Sequence, residues 1–128
     1  MKVHAMVSCL LIDRDAGERQ KVVSLLWDLG ISCIERQEPE EGIRYCTEAM
    51  PDVVVMQASQ LPAARDFLRL TRRQGRRWGR PVVILYADTA DTEIMGGTIL
   101  DGAAEFLLKP FDRDLLQFKL MQAGVLKQ

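Results

Sequence analysis

The sequence predicts an α/β domain in which five βα units build a parallel sheet covered by helices on both faces, and three observations carry that reading. Apolar runs of strand length alternate with amphipathic stretches of helix length from end to end. Most of those runs are continuous rather than alternating, as strands covered on both faces should be. The 128 residues suffice for one such domain, which at that size buries about two thirds of its unfolded surface without disulfides or metal. With 48% hydrophobic and 27% charged residues the composition is that of an ordinary folded domain, not of a disordered or membrane chain.

The first strand is read from Val7 to Ile12. The N-terminal stretch MKVHAMVSCLLID opens with a lysine and apolar residues, yet it is short and runs into Asp13-Arg14-Asp15 with no small-residue cleavage pattern. It is read as a strand rather than a leader. The first helix starts near Asp15 as N-cap, turns Val22, Val23, Leu25, Leu26 and Leu29 towards the core, and stops at Gly30. Trp27 is read as part of that packing rather than as interface. The second strand, Ser32 to Arg36, leads to a helix from about Glu40 to Ala49, and the third, Val53 to Gln57, to a helix from about Ala63 to Gln74. The fourth strand is Val82 to Tyr86. Its helix, Thr92 to Leu100, carries Gly96-Gly97 at its centre, a cost of about 2 kcal/mol relative to two alanines. The fifth strand is Glu105 to Leu108, and after Lys109-Pro110 a last helix presents Leu115, Leu116, Phe118, Leu120, Met121 and Val125. No repeat or linker interrupts the series, so residues 1–128 are expected to form one stand-alone domain with no output domain.

Composition removes several function classes. A net charge of −1 argues against a nucleic-acid binder. The local exception is RRQGRRWGR, residues 72–80, with five arginines around Trp78; a solvated helix end and loop account for it better than specific binding does. Cys9, Cys33 and Cys46 are isolated and odd in number, which suits reduced thiols in a cytoplasmic protein. His4 is the sole histidine and no CxxC pair exists, so no zinc site is expected.

In open parallel sheets ligands sit outside the carboxyl ends of the strands. Those ends read Asp13-Arg14, Gln57-Ala58, Tyr86-Ala87 and Lys109-Pro110. The segments CLLIDRD, PDVVVMQ, PVVILYAD and GAAEFLLKPFD, in this order and spacing, resemble the receiver domain of two-component response regulators over nearly the whole chain. DGAAEFLLKPF is the most specific piece, similar to the family's Ala-Gly-Ala-x-x-φ-x-x-Lys-Pro-φ signature with its cis-prone Lys-Pro step. The resemblance implies a flavodoxin-like fold with strand order 2-1-3-4-5.

The resemblance also implies a chemistry, and this chain keeps little of its equipment. A receiver takes a phosphoryl group from a histidine kinase onto an aspartate after strand three, using magnesium held by acids after strand one, a Ser or Thr hydroxyl after strand four and a lysine after strand five. Counting from Pro51 places Gln57 at the acceptor position; a one-residue shift, which Pro62 leaves open, would place Ala58 there, and neither is an acid. Asp13 matches the first acid, Arg14 replaces the second, Tyr86 stands for the hydroxyl residue, and Lys109 is retained. Asp13, Arg14 and Lys109 would give the site a charge of about +1, against about −2 in a working receiver, which should abolish weak magnesium binding. No metal, cofactor or enzymatic activity is expected. Arg14 is read as facing the pocket, where it and Lys109 would form a salt-bridge cluster on Asp13; a surface pair with Asp15 or Glu18 is the other reading. Among other acids, Asp52 lies at the far end of strand three, about 16 Å away, and Asp88 follows strand four. Phe106 stands at the position where receivers carry a switch aromatic, and Ile94, Met95, Phe106 and Pro110 mark a possible partner surface. The expectation is therefore a non-phosphorylatable, cytoplasmic single-domain regulator that binds a protein, such as a histidine kinase or another regulator, in bacterial signalling. The alternative is a receiver still regulated through another acid or through an anionic ligand in its altered pocket. Neither nucleic acid nor membrane is an expected partner, and no pattern selects an oligomeric state.

Overall fold

Parallel pairing joins five strands in the order β2-β1-β3-β4-β5 in the computed structural model, which describes residues 7–58, 64–69, 81–88, 97 and 102–127. The strands are β1 (Ser8–Ile12), β2 (Ser32–Arg36), β3 (Val53–Gln57), β4 (Val82–Ala87) and β5 (Glu105–Leu108). The helices among the described residues are α1 (Ala16–Asp28), α2 (Pro39–Glu48), α3 (residues 64–69) and the C-terminal α4 (Arg113–Gln122). This is the flavodoxin-like arrangement with order 2-1-3-4-5. The predicted helix over 92–100, apart from helical Gly97, lies outside the described residues, as do Ile94, Met95 and the arginine-rich 72–80 segment.

Strand side chains alternate between faces, and the core divides accordingly. Leu10, Ile12, Val54, Met56 and Leu85 meet α2 and α3 through Cys46, Phe67 and Leu68. Cys9, Leu11, Val55, Ile84 and Tyr86 meet α1 and α4 through Val22, Leu26, Leu116 and Leu120. The central strands are apolar along their buried lengths because both sides are covered, with Ser8 and Gln57 at strand ends.

Local chemistry fixes the helix ends. Asp15 caps α1 by accepting from the Glu18 N–H at 2.9 Å, as read from the sequence. At the other end Gly30, at φ 81°, donates to Trp27 O and Ile31 donates to Leu26 O, a Schellman closure that only a residue tolerant of positive φ accommodates. α4 repeats the design with Asp112 as N-cap and Gly124 at φ 80°. Trp27 corrects the sequence reading. It is 67% exposed, because Val22 and Leu26 make the buried stripe of α1 and Trp27 falls about 100° around the helix from Leu26.

Candidate functional site

The site forms where the carboxyl ends of β1, β3, β4 and β5 converge. Gln57 and Tyr86 are paired in the β3/β4 register, and alternation puts both on the α1/α4 face. Asp13 follows β1 directly. It is 5% exposed and the sole buried charged residue among those described.

Both carboxylate oxygens of Asp13 are satisfied from within the protein. The Asp15 N–H donates to Oδ1 at 2.9 Å, and the Tyr86 hydroxyl donates to Oδ2 at 2.6 Å. Arg19 Nη1 donates to the Asp13 carbonyl at 2.6 Å while its Nε pairs with Glu35, which ties the β1 terminus to α1 and β2. Tyr86 has no exposed surface. Burial first, then the hydrogen bond to Asp13, push its phenol well above the ordinary value of 10.0, so the hydroxyl remains a donor.

Lys109 closes the site from above. Its Nζ lies 4.9 Å from the Tyr86 ring centroid and donates to Glu18 Oε2 at 2.7 Å, with the side chain 13% exposed. Phe111 meets the same ring edge-on at 5.8 Å between centroids, so Tyr86 is held by a cation on one side and an aromatic on another. The Lys109–Pro110 peptide is cis. An open groove of about 350 Å³ borders this lid, with Glu18, Lys21, Asp88, Lys109 and Phe111 on its walls.

The geometry differs from the sequence expectation at Arg14. The cluster of Arg14 and Lys109 on Asp13 does not form: Arg14 turns outward and pairs with Glu38 at 2.7 Å, its side chain 50% exposed. The physical reason is desolvation. Guanidinium and ammonium buried together around one carboxylate would lose hydration that a solvated pair with Glu38 retains. Lys109 likewise takes Glu18, so the expected positive pocket is replaced by two separate ion pairs. Phe106 is a core residue, 7% exposed in the layer with Phe67 and Leu85, so it is not part of an exposed partner surface. Of that expected surface, Pro110 is exposed.

Sequence reasoning missed Glu18, Arg19, Glu38 and Phe111. Glu18 was visible only as a possible surface partner of Arg14; its contact with Lys109 spans 91 positions and carries no local signal.

No family model and no curated protein matches the chain. Solved structures do. The chemotaxis response regulator CheY4 of Vibrio cholerae superposes with a TM-score of 0.81 at 21% identity, over 93% of this chain and 99% of its own. The fold is that of a receiver domain. A response regulator receiver domain protein from Clostridium thermocellum shares this receiver fold at TM-score 0.75 and 23% identity, covering 92% of this chain and 94% of the other. The receiver domain of the sensor histidine kinase PA1611 from Pseudomonas aeruginosa matches at TM-score 0.77 and 19% identity, over 94% and 99% of the two chains. That structure holds magnesium in its active-site cleft.

The donor set here does not fit such an ion. Magnesium takes oxygen ligands in near-octahedral order. Asp13 ends β1 with both carboxylate oxygens already engaged by Tyr86 and Asp15, and the neighbouring Arg14 and Gln57 add no carboxylate. Among the described residues no group of three His, Cys, Asp or Glu side chains is placed to hold a metal.

Proposed function

We propose that this domain is a pseudo-receiver: a phosphorylation-independent, cytoplasmic module that acts by binding another protein in bacterial signal transduction. One observation carries the reading. The Tyr86 hydroxyl satisfies Asp13 inside the site, so the pocket is filled by the protein's own side chains beside a Gln57 that offers no carboxylate. In a working receiver, phosphate and a small hydroxyl would meet there; here a permanent internal hydrogen bond occupies the same ground.

A protein partner fits the surface as well as the site. Leu108 on β5 and Leu115 and Phe118 on α4 are exposed large apolar residues, with exposed Pro110 between them in sequence. Residues of this kind at one edge of the domain supply apolar contact area for a partner such as a histidine kinase or another regulator. The receiver-fold relatives include a chemotaxis response regulator and a domain of a sensor kinase, both signalling proteins.

The test is mass spectrometry of the protein after incubation with a small-molecule phosphodonor and magnesium. The proposal predicts no acid-labile phosphoryl adduct. A second reading rests on Asp88, an exposed acid on the groove that Lys109 also lines. An adduct mapped to Asp88 would favour that reading, a receiver regulated through a different acid.

A further inference from the structure

Cys9 and Cys33 are Cα partners in the parallel register of β1 and β2. Opposed residues on neighbouring strands share a sheet face and stand about 4.8 Å apart, inside the Cα window of roughly 4.4–6.8 Å that a disulfide requires. Both side chains belong to the apolar layer between the sheet and helices α1 and α4, so the two thiols face the same way. Cys46 lies on α2, in the opposite layer of the core.

Exposure separates the roles of the pair. Cys9 is buried, whereas Cys33 is half-buried on β2, the edge strand of the sheet. A small oxidant in solution therefore reaches Cys33 first. The side chain of Cys33, and then burial, push the Cys9 thiol well above its ordinary value of 9.0, consistent with sulfurs close enough to sense each other.

We propose that Cys9 and Cys33 are a modification site at which a peroxide closes an intramolecular disulfide between β1 and β2. Cys33 Sγ attacks one peroxide oxygen, the O–O bond breaks, and the products are a sulfenic acid on Cys33 and one water. Cys9 Sγ then attacks Cys33 Sγ; the S–O bond breaks, and the hydroxide leaves with the Cys9 proton as a second water. Two thiols and one hydrogen peroxide become one disulfide and two waters, with two electrons passing from sulfur to oxygen. Strand spacing keeps the paired Cβ atoms wider than the disulfide mean of about 3.8 Å, so closure draws β2 inward and leaves a strained, readily reduced bond. The cross-link lies at the amino ends of the strands, four residues before Asp13. It clamps the edge strand and leaves the Tyr86–Asp13 contact in place.

The experiment treats the full chain with graded hydrogen peroxide, alkylates the remaining thiols under denaturing conditions and maps peptides without reduction. The expected result is a linked Cys9–Cys33 peptide lacking two hydrogens, Cys46 alkylated, and complete reversal by reduced glutathione. Cys33→Ser should leave Cys9 fully alkylated after the same treatment. The wild-type map decides the matter even if that variant folds poorly. Cys33 recovered as sulfinic acid or as a link between two chains, with Cys9 still alkylatable, would overturn the proposal. A Cys9–Cys33 link that resists glutathione would overturn its reversibility.

Discussion

Tyr86 and Asp13 exchange a 2.6 Å hydrogen bond between buried atoms, and each depends on the other for satisfaction. Tyr86→Phe leaves Asp13 Oδ2 buried without that donor. A loss of about 1–3 kcal/mol is expected, read from urea unfolding, because an abandoned buried acceptor forfeits its hydration. The double variant Tyr86→Phe with Asp13→Asn should lose less than the sum of the two single changes, since the charge that needed the donor is gone. Glu18 supplies a pH signature. The hydrogen bond from Lys109, followed by that from Lys21, lowers its carboxyl below the ordinary 4.5. A lowered folded value means the unfolded chain binds the proton first, so this contribution is present above pH 4.5 and is lost as pH falls through the folded value. Melting temperature should drop between about pH 5 and pH 3 in the wild type and drop less in Glu18→Gln. Tyr86 acts at the opposite end. Its raised value adds stability that is full below pH 10.0 and declines as pH rises above it, when the unfolded phenol ionises first.

Among the elements, the strands were the legible part. The sequence reading matches β2, β3 and β5 at both ends, and β1 and β4 to within a residue, because continuous apolar runs bounded by charge and proline leave little choice of register. Helix α1 was legible at its ends, through Asp15 and Gly30, but not around its circumference, where Trp27 proved exposed. The reason is that Val22 and Leu26, flanked by the partly buried Val23, Leu25 and Leu29, seal the face of α1 against the sheet, and Trp27 falls outside that arc. Asp15→Ala should destabilise by about 1 kcal/mol through loss of the α1 cap, measured by thermal or urea unfolding. Helix α2 carries a tighter constraint. A Cβ on Gly42 would overlap the Ile12 side chain and lie 3.3 Å from Phe67 Cε2, both in the core. Gly42→Ala should therefore cost about 1–3 kcal/mol despite alanine's better helix propensity, because the buried Ile12 side chain must leave its packed position to admit the methyl.

For the molecule as a whole, the candidate site was legible as a set of positions and illegible as a set of contacts. Asp13, Gln57, Tyr86 and Lys109 do come to the carboxyl ends of adjoining strands. Which partner each takes was decided by residues far away in the chain, as with Arg14 and Glu38 or Lys109 and Glu18. Charge counting alone could not foresee that ion pairs would assemble separately around Asp13. The arrangement makes restoration of phosphate chemistry a matter of several changes. Gln57→Asp alone should remain unphosphorylated by a small-molecule donor with magnesium, because the Tyr86 hydroxyl still engages Asp13 and Arg14 adds no carboxylate beside it. Adding Arg14→Asp and Tyr86→Thr should yield an acid-labile adduct on the new aspartate, detected by intact-protein mass. The most direct test of a self-filled, phosphorylation-independent pocket is an amide NMR titration of the wild-type protein with magnesium, then with magnesium and beryllofluoride. The account predicts no saturable shifts at residues 13, 57, 86 and 109. Saturable shifts clustered at those four positions would show that the pocket still takes a ligand, and would contradict it.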